Sequence, residues 1–313
     1  MRKFDAVFVG LTILDIAGRP VSGVPEGGGV AFIDEIRLNP AGTAAGAAMN
    51  AAKLGASTAT AACLGADEKG EFILEIYRRL GIDTALVRLT KNAPTSATIL
   101  PIRPNGERPA LHCRGASDHL FVADDEFDAV CDARYLHHGG TGLLAAMDGG
   151  QSGKLLRHAK ARGLTTSLDL IAPNDATLAL LDDMLPSVDY FMPSLEEATF
   201  LSGKSDPEKA AEFFFDRGAR ACIFKMGVQG SYMRTRERAF HTPAFKVSVS
   251  DTTGCGDAYC GGFIAGLAEG LDLERACRLG AAAAALVATG LGSDAGVRDR
   301  RQVETFMSET ETL

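Results

Sequence analysis

The sequence is short of three things that would place it in common functional classes. Its seven cysteines, at 63, 113, 131, 222, 255, 260 and 277, are odd in number and include no C-x-x-C pair. That excludes a zinc ribbon or a disulfide framework and fits a reducing cytoplasm. Basic residues are outnumbered 32 to 40, a formal net charge of −8, so neither nucleic acid nor an anionic membrane is expected as a partner. Long apolar runs are also missing. The most apolar helical stretch, Ala281 to Thr289, is about half of what spans a bilayer, and the opening MRKFDAVFVG is too short a run for a signal peptide and reads as a strand. There is no internal repeat, low-complexity tract or linker.

What is present is a soluble composition, 46% hydrophobic and 23% charged over 313 residues, enough to bury a substantial core. Short apolar runs alternate with amphipathic ones: DAVFVG and a helix near 43–54, TATAACLG and DEKGEFILEIYRRLG, LTTSLDLI and 174–185, VDYFMP and SLEEATFLSG, then ACIFKM. This alternation predicts βαβ units, hence a mostly parallel sheet with helices on both faces and ligands at the carboxyl ends of its strands. Residues 16–40 and 95–116 break the pattern. The first is glycine-rich with one strand-like run, and the second reads as a hairpin turning at Asn105-Gly106. Together they are expected to form a small β lid on a single domain covering 1–313.

The most informative stretch is DTTGCGDAYCGGF, residues 251–263. Gly254 and Gly256 allow a tight turn that exposes N–H groups, and an apolar helix follows from Ala258 to Leu267. The start of such a helix is an anion seat suited to phosphate. Asp257 beside it would compete with the anion unless it has its own task. The helix field is expected to lower its pKa and leave it ionised, ready to accept a proton. The alternative is a capping residue in an ordinary turn.

These residues resemble the PfkB, or ribokinase-like, carbohydrate kinase family over nearly the whole chain. Asp251 to Asp257 is similar to the D-T-x-G-A-G-D signature with Cys255 for alanine. Gly10 to Asp15 matches G-x-x-x-x-D after the first strand, and Ala41 to Gly46 aligns with G-G-x-x-x-N before a helix ending in Leu54-Gly55. The resemblance implies a ribokinase-like three-layer α/β sandwich and an ATP-dependent kinase acting on a hydroxyl, primary by expectation, of a sugar or nucleoside. Asp257 is implied as catalytic base and the backbone of Gly254, Cys255 and Gly256 as the anion hole. Asp15 would hold substrate hydroxyls, and Gly42 and Thr43 would let substrate approach the backbone. Lys225, Gly227 and Gly230 resemble the T-x-G-x-x-G nucleotide loop with lysine for threonine. Ser194 and Glu197 cover the N-x-x-E segment, serine replacing asparagine, and Glu197 would organise water around Mg²⁺. Asp251 and Thr253 match a monovalent cation loop of some relatives, so K⁺ joins ATP and Mg²⁺ as an expected cofactor.

Gly46 stands where most members carry a substrate-contacting asparagine, which is expected to enlarge the space beside the sugar. Asp169 matches the family's D-x-N-x-R strand end without its asparagine and arginine, and is carried as a substrate contact. His112 and Arg114, two apart on the lid hairpin, share a face, so Arg114 is a further candidate for substrate. His137 and His138 are adjacent on a strand and point to opposite faces, which favours structural roles. Glu71, Glu75, Arg78 and Arg79 read as the polar side of a helix. A homodimer through the lid is also implied. Two other readings compete: a non-catalytic relative that binds sugar or nucleoside, and a dinucleotide-dependent oxidoreductase. The second lacks a G-x-G-x-x-G after the first strand.

Overall fold

The computed structural model describes residues 2–313. Fourteen strands run in chain order: β1 Phe4–Gly10, β2 Ile13–Arg19, β3 Glu35–Ala41, β4 Thr58–Ala61, β5 Cys63–Gly65, β6 Arg88–Thr90, β7 Ala97–Pro101, β8 Leu111–Cys113, β9 Ala133–Thr141, β10 Thr165–Leu170, β11 Tyr190–Phe191, β12 Ala221–Lys225, β13 Ser231–Thr235 and β14 Ala239–Thr242. Eight of them form one sheet in the order β14-β13-β12-β11-β10-β9-β1-β4. From β12 to β4 every pairing is parallel, and only β13 and β14 are antiparallel.

Alternation along β1 shows why both faces are covered. Val7 and Val9 enter one core with Leu155, Leu181 and Phe214, while Ala6 and Phe8 enter a second core with Met49, Phe263 and Leu279. Side chains two apart share a face, so the apolar run Ala6 to Val9 needs a helical layer on each side. The helices Gln151–Ala161, Thr177–Met184 and Pro207–Phe215 supply one layer, and Thr43–Lys53, Cys255–Glu269 and Leu273–Val287 the other. The result is the three-layer α/β architecture expected. No helix among the described residues is long and apolar enough to cross a membrane.

The two irregular segments make a separate four-stranded sheet, β3-β2-β7-β8. The first contributes two strands rather than one, because the glycine-rich part is confined to 20–34 and the residues on each side pair antiparallel from Ile13 with Ala41 to Arg19 with Glu35. In the β7–β8 hairpin Gly106 takes φ +84°, and Asn105 Oδ1 accepts the Glu107 N–H at 3.1 Å, as the Asn-Gly turn requires. His137 and His138 are both buried on opposite faces, against Ser167 and Ser152. Burial lowers their pKa to about 3 and about 4, and the nearby Lys225 and His138 charges add to this for His137. They remain neutral packing residues.

Candidate active site

A cleft of about 1490 Å³ lies at the carboxyl ends of the parallel strands, between them and the lid. Its floor starts at the 251–257 loop. Gly254 holds φ +74° as N-cap of the helix Cys255–Glu269, and a Cβ there would fall 2.4 Å from Ser293 Cα. Only glycine meets both demands. The helix begins three residues earlier than the apolar run suggests, so the signature itself forms its first turn. Cys255 donates its N–H to Thr252 across 3.3 Å, and no acceptor engages the N–H groups of Gly256 and Asp257. Those two free amides at a helix start are what an anion seat needs.

Asp257 lines the cleft beside them. Its pKa is raised to about 7, first by burial and next by the charge of Asp169, against the opposing pull of Lys225. This corrects the expectation of a lowered value: desolvation and a neighbouring carboxylate outweigh the helix field. Gly46 also needs correction. A Cβ on Gly46 would stand 2.7 Å from Asp257 Cβ and 2.9 Å from its Oδ2, so the space left by the missing asparagine is filled by Asp257 rather than left open beside a substrate.

At the other end of the cleft, Asp15 on β2 is 5% exposed, with Oδ1 unpartnered. Burial raises its pKa to about 7 in spite of a hydrogen bond from Thr98. Thr43 Oγ1 is likewise buried and unpartnered, and it faces the same cleft. Gly42 takes φ +98°, and a Cβ there would meet the Leu11 carbonyl at 2.4 Å. The close approach at Gly42 is therefore to the end of β1.

Lys225 ends β12 and lines the floor, but its ammonium turns inward to Asp169 Oδ2 at 2.6 Å. Burial opposes its charge, yet Asp169, Cys260 and Glu197 together hold its pKa above the usual range. Asp169 Oδ1 takes the Leu170 N–H at 2.9 Å, and Oδ2 also takes the Cys260 thiol at 3.4 Å. Gly227 and Gly230, at φ +57° and +79°, shape the turn between β12 and β13 on the cleft wall. Ser194 caps the helix Leu195–Ser202, accepting the Glu197 N–H at 3.1 Å while Glu197 Oε2 accepts the Ser194 N–H at 2.8 Å. Burial and the Asp169 charge raise the Glu197 pKa. Among the described residues no three carboxylate, histidine or cysteine side chains cluster closely enough to hold a metal ion by themselves. Asp169 and Glu197 Oε2 are already engaged, so a divalent cation carried in with phosphates would be held through water, with Glu197 as the nearest carboxylate. Asp251 spends Oδ1 on Thr253 N–H and Oγ1, at 2.9 and 2.8 Å, and Oδ2 on Gly292 N–H at 3.4 Å. That pair braces the loop.

Arg114 is not in the cleft. It makes a two-bond pair with Asp118, at 2.9 and 2.7 Å, on the surface. Strand β8 ends at Cys113, so the alternation that places His112 over the cleft lapses before Arg114. The cleft arginine is Arg108, in the hairpin loop, with Nη1 3.5 Å from Thr253 Oγ1 and its charge acting on Asp15 and Asp257. Nothing in the sequence separates Arg108 from Arg103 or Arg114 without the hairpin geometry. Thr98 and Ser293 are likewise cleft residues without a sequence signal.

The sequence model of the pfkB family carbohydrate kinases matches residues 3–300. The chain belongs to that family. Among its relatives, the 2-dehydro-3-deoxygluconokinase of Thermoproteus tenax is 29% identical over 293 residues, 90% of this chain and 89% of that one. Two solved structures share the fold. The Arabidopsis thaliana ribokinase complexed with ribose and ATP matches with a TM-score of 0.83 at 24% identity, over 97% of this chain and 98% of that one. An E. coli ribokinase II in complex with ATP and Mg²⁺ also scores 0.83, at 23% identity, over 97% and 99%. The architecture is therefore ribokinase-like, the chain is a carbohydrate kinase by class, and the oxidoreductase reading falls.

Proposed function

We propose that the protein transfers the γ-phosphoryl group of ATP to a hydroxyl of a sugar or nucleoside, a primary one by expectation. The acceptor lies between Asp15 and Asp257, and the nucleotide lies along Gly227, Gly230 and the helix cap at Ser194. The observation that carries this reading is the pairing of two unengaged helix-start amides, at Gly256 and Asp257, with a buried carboxylate of pKa about 7. An acid seat of that strength can take a proton near neutral pH, and the amides stabilise charge spreading over the equatorial oxygens. The acceptor oxygen bonds to the γ-phosphorus as the bond to the bridging oxygen breaks. The electron pair leaves with ADP and the proton goes to the Asp257 carboxylate. Mg²⁺ carried in with ATP would supply charge neutralisation on the phosphates, and Glu197 would hold its waters.

Kinship with a sugar-acid kinase and the ribose-bound neighbour favour a sugar over a nucleoside as acceptor. The working form is a homodimer in the cytoplasm, joined through the outer face of the lid, where Ile36, Leu38, Ile99 and Leu111 are 68%, 46%, 51% and 63% exposed. K⁺ at the loop of Asp251 and Thr253 is carried as a further cofactor beside ATP and Mg²⁺, on the family resemblance.

The test is ADP release with Mg-ATP against ketohexoses, aldopentoses, sugar acids and purine nucleosides, run beside Asp257→Asn. Expected is a substrate-dependent rate that falls at least about 100-fold in the variant. Near-normal turnover in the variant would put the base elsewhere. ATP binding with no turnover on any acceptor would favour the non-catalytic reading.

A further inference from the structure

Two buried charges in the cleft floor have a geometry that neither acceptor binding nor nucleotide binding explains. Asp169 is 1% exposed, and its two oxygens already receive three donors, from Leu170, Lys225 and Cys260. Asp15 contrasts with it, keeping one oxygen free. An acceptor hydroxyl therefore finds a ready partner in Asp15 and none in Asp169. Lys225 presents the converse. An ammonium has three N–H donors, yet Asp169 is its single strong acceptor, since the Cys260 sulfur lies 3.8 Å away and is a weak one. Its Nζ is 3.1 Å from where a Cβ on Gly256 would stand, directly under the residue whose free amide opens the anion seat. The side chain is 14% exposed and borders the cleft.

We propose that Lys225 is a catalytic residue that contacts the phosphoryl group in transit, and that Asp169 is a positioning residue that fixes its ammonium under the Gly256 and Asp257 amides. This rests on the kinase reading above. An unpaired ammonium would be costly to bury, and Asp169 offsets that cost while leaving donors unfilled on the side of the seat. The charge is then in place before the reaction begins, needs no reorganisation, and acts in a site of low dielectric. Because the contact is to the group being transferred, it is absent in the complex with ADP alone. That separates it from a lysine that simply holds nucleotide.

The experiment compares Mg-ADP with Mg-ADP plus aluminium fluoride, a mimic of the phosphoryl group in flight, by calorimetry, together with kcat and KM, for wild type, Lys225→Met, Asp169→Asn and the double variant. Lys225→Met is expected to keep ADP affinity within about threefold while affinity for the fluoroaluminate complex and kcat both fall about 100-fold or more. Asp169→Asn is expected to lower kcat at least about tenfold with acceptor KM unchanged, and the double variant to be no worse than Lys225→Met, since the two act as one unit. Equal loss for ADP and the mimic in Lys225→Met would make Lys225 a nucleotide ligand and overturn the proposal. A raised acceptor KM with unchanged kcat in Asp169→Asn would make Asp169 an acceptor ligand and overturn its half. If Lys225→Met does not fold, the double variant, which buries no lone charge, carries the same comparison. A wild-type protein that neither turns over nor binds the mimic more tightly than ADP would sink the kinase reading itself.

Discussion

The two sheets of this molecule face opposite situations. The eight-stranded sheet is covered on both sides, and the charges around its carboxyl end are already engaged: Lys225 with Asp169, Glu197 with Ser194, Asp251 with Thr253. The lid sheet has one face on the cleft and the other in solvent. Its outer face is apolar in a continuous row, since the strand register sets Leu38 opposite Ile16, Ile16 opposite Ile99, and Ile99 opposite Leu111. Its cleft-side arginine, Arg108, has one contact at 3.5 Å. The body is thus organised before any ligand arrives, while the lid leaves one face open to the cleft and an apolar face uncovered. Catalysis by preorganised charge and closure by a mobile cover ask for that division.

The sharpest way to break the body side is to restore the family's asparagine. Gly46→Asn places a side chain where Asp257 Cβ and Oδ2 now stand, and a helix packed on both sides cannot step back. Misplacing a base by about 1 Å costs on the order of 100-fold, so kcat is expected to fall by about that much, with KM for ATP little changed. A steady-state assay decides it. Retained kcat would mean that the site accommodates both residues, and that Asp257 is not held by its fit against this helix.

The pH response comes next in size. Asp257 has a folded-state pKa of about 7 against an ordinary 3.8, so kcat should rise with pH through about 7 as the carboxylate ionises. Stability runs the other way. A carboxyl whose pKa is raised on folding binds its proton more tightly in the native state, so its ionisation costs nothing below the unfolded value, an increasing amount between about pH 4 and 7, and a constant amount above. Asp257→Asn removes that cost. It should raise the stability at pH 8 by an amount on the order of a few kcal/mol, seen as a higher melting temperature, and leave both nearly unchanged at pH 4. An equal shift at both pH values would assign the gain to packing instead of charge.

The legibility of the sequence follows the same division. The alternating runs located the parallel sheet, the helices at 43–53 and 68–79, and the strand ends around the cleft, because buried strands and amphipathic helices write their surroundings into short-range patterns. The D-T-T-G-C-G-D loop was readable for a similar reason: glycine, a helix start and a carboxylate are a local device. Four things were not readable. The pKa of Asp257 depends on burial and on Asp169, 88 positions away in the chain. The inward turn of Lys225 depends on the same Asp169, and the packing of Gly46 against Asp257 joins two separate helices. Arg108 and Arg114 exchanged places because the two-residue alternation holds only while a strand lasts, and β8 stops at Cys113. Long-range electrostatics and the ends of short strands are where local pattern carries least.

The lid side should show the smallest effect on chemistry and the clearest effect on assembly. Exposed side chains at Ile36 and Leu111 are 68% and 63% accessible and touch none of the cleft groups. Burying such a row against a second copy contributes roughly 25 cal/mol for each Å² of apolar surface removed from water, and a buried lysine in its place would forfeit that gain and add the cost of desolvating a charge. Ile36→Lys combined with Leu111→Lys is therefore expected to convert a dimer to a monomer in light scattering, with kcat within about threefold of wild type. A wild-type protein that is already monomeric at micromolar concentration would leave the apolar row without a second copy to cover it, and would make the lid an independent cover whose outer face has no bearing on assembly. A variant that stays dimeric would place the subunit contact elsewhere on the body. The contrast between a finished body and an unfinished lid would then rest on Arg108 alone.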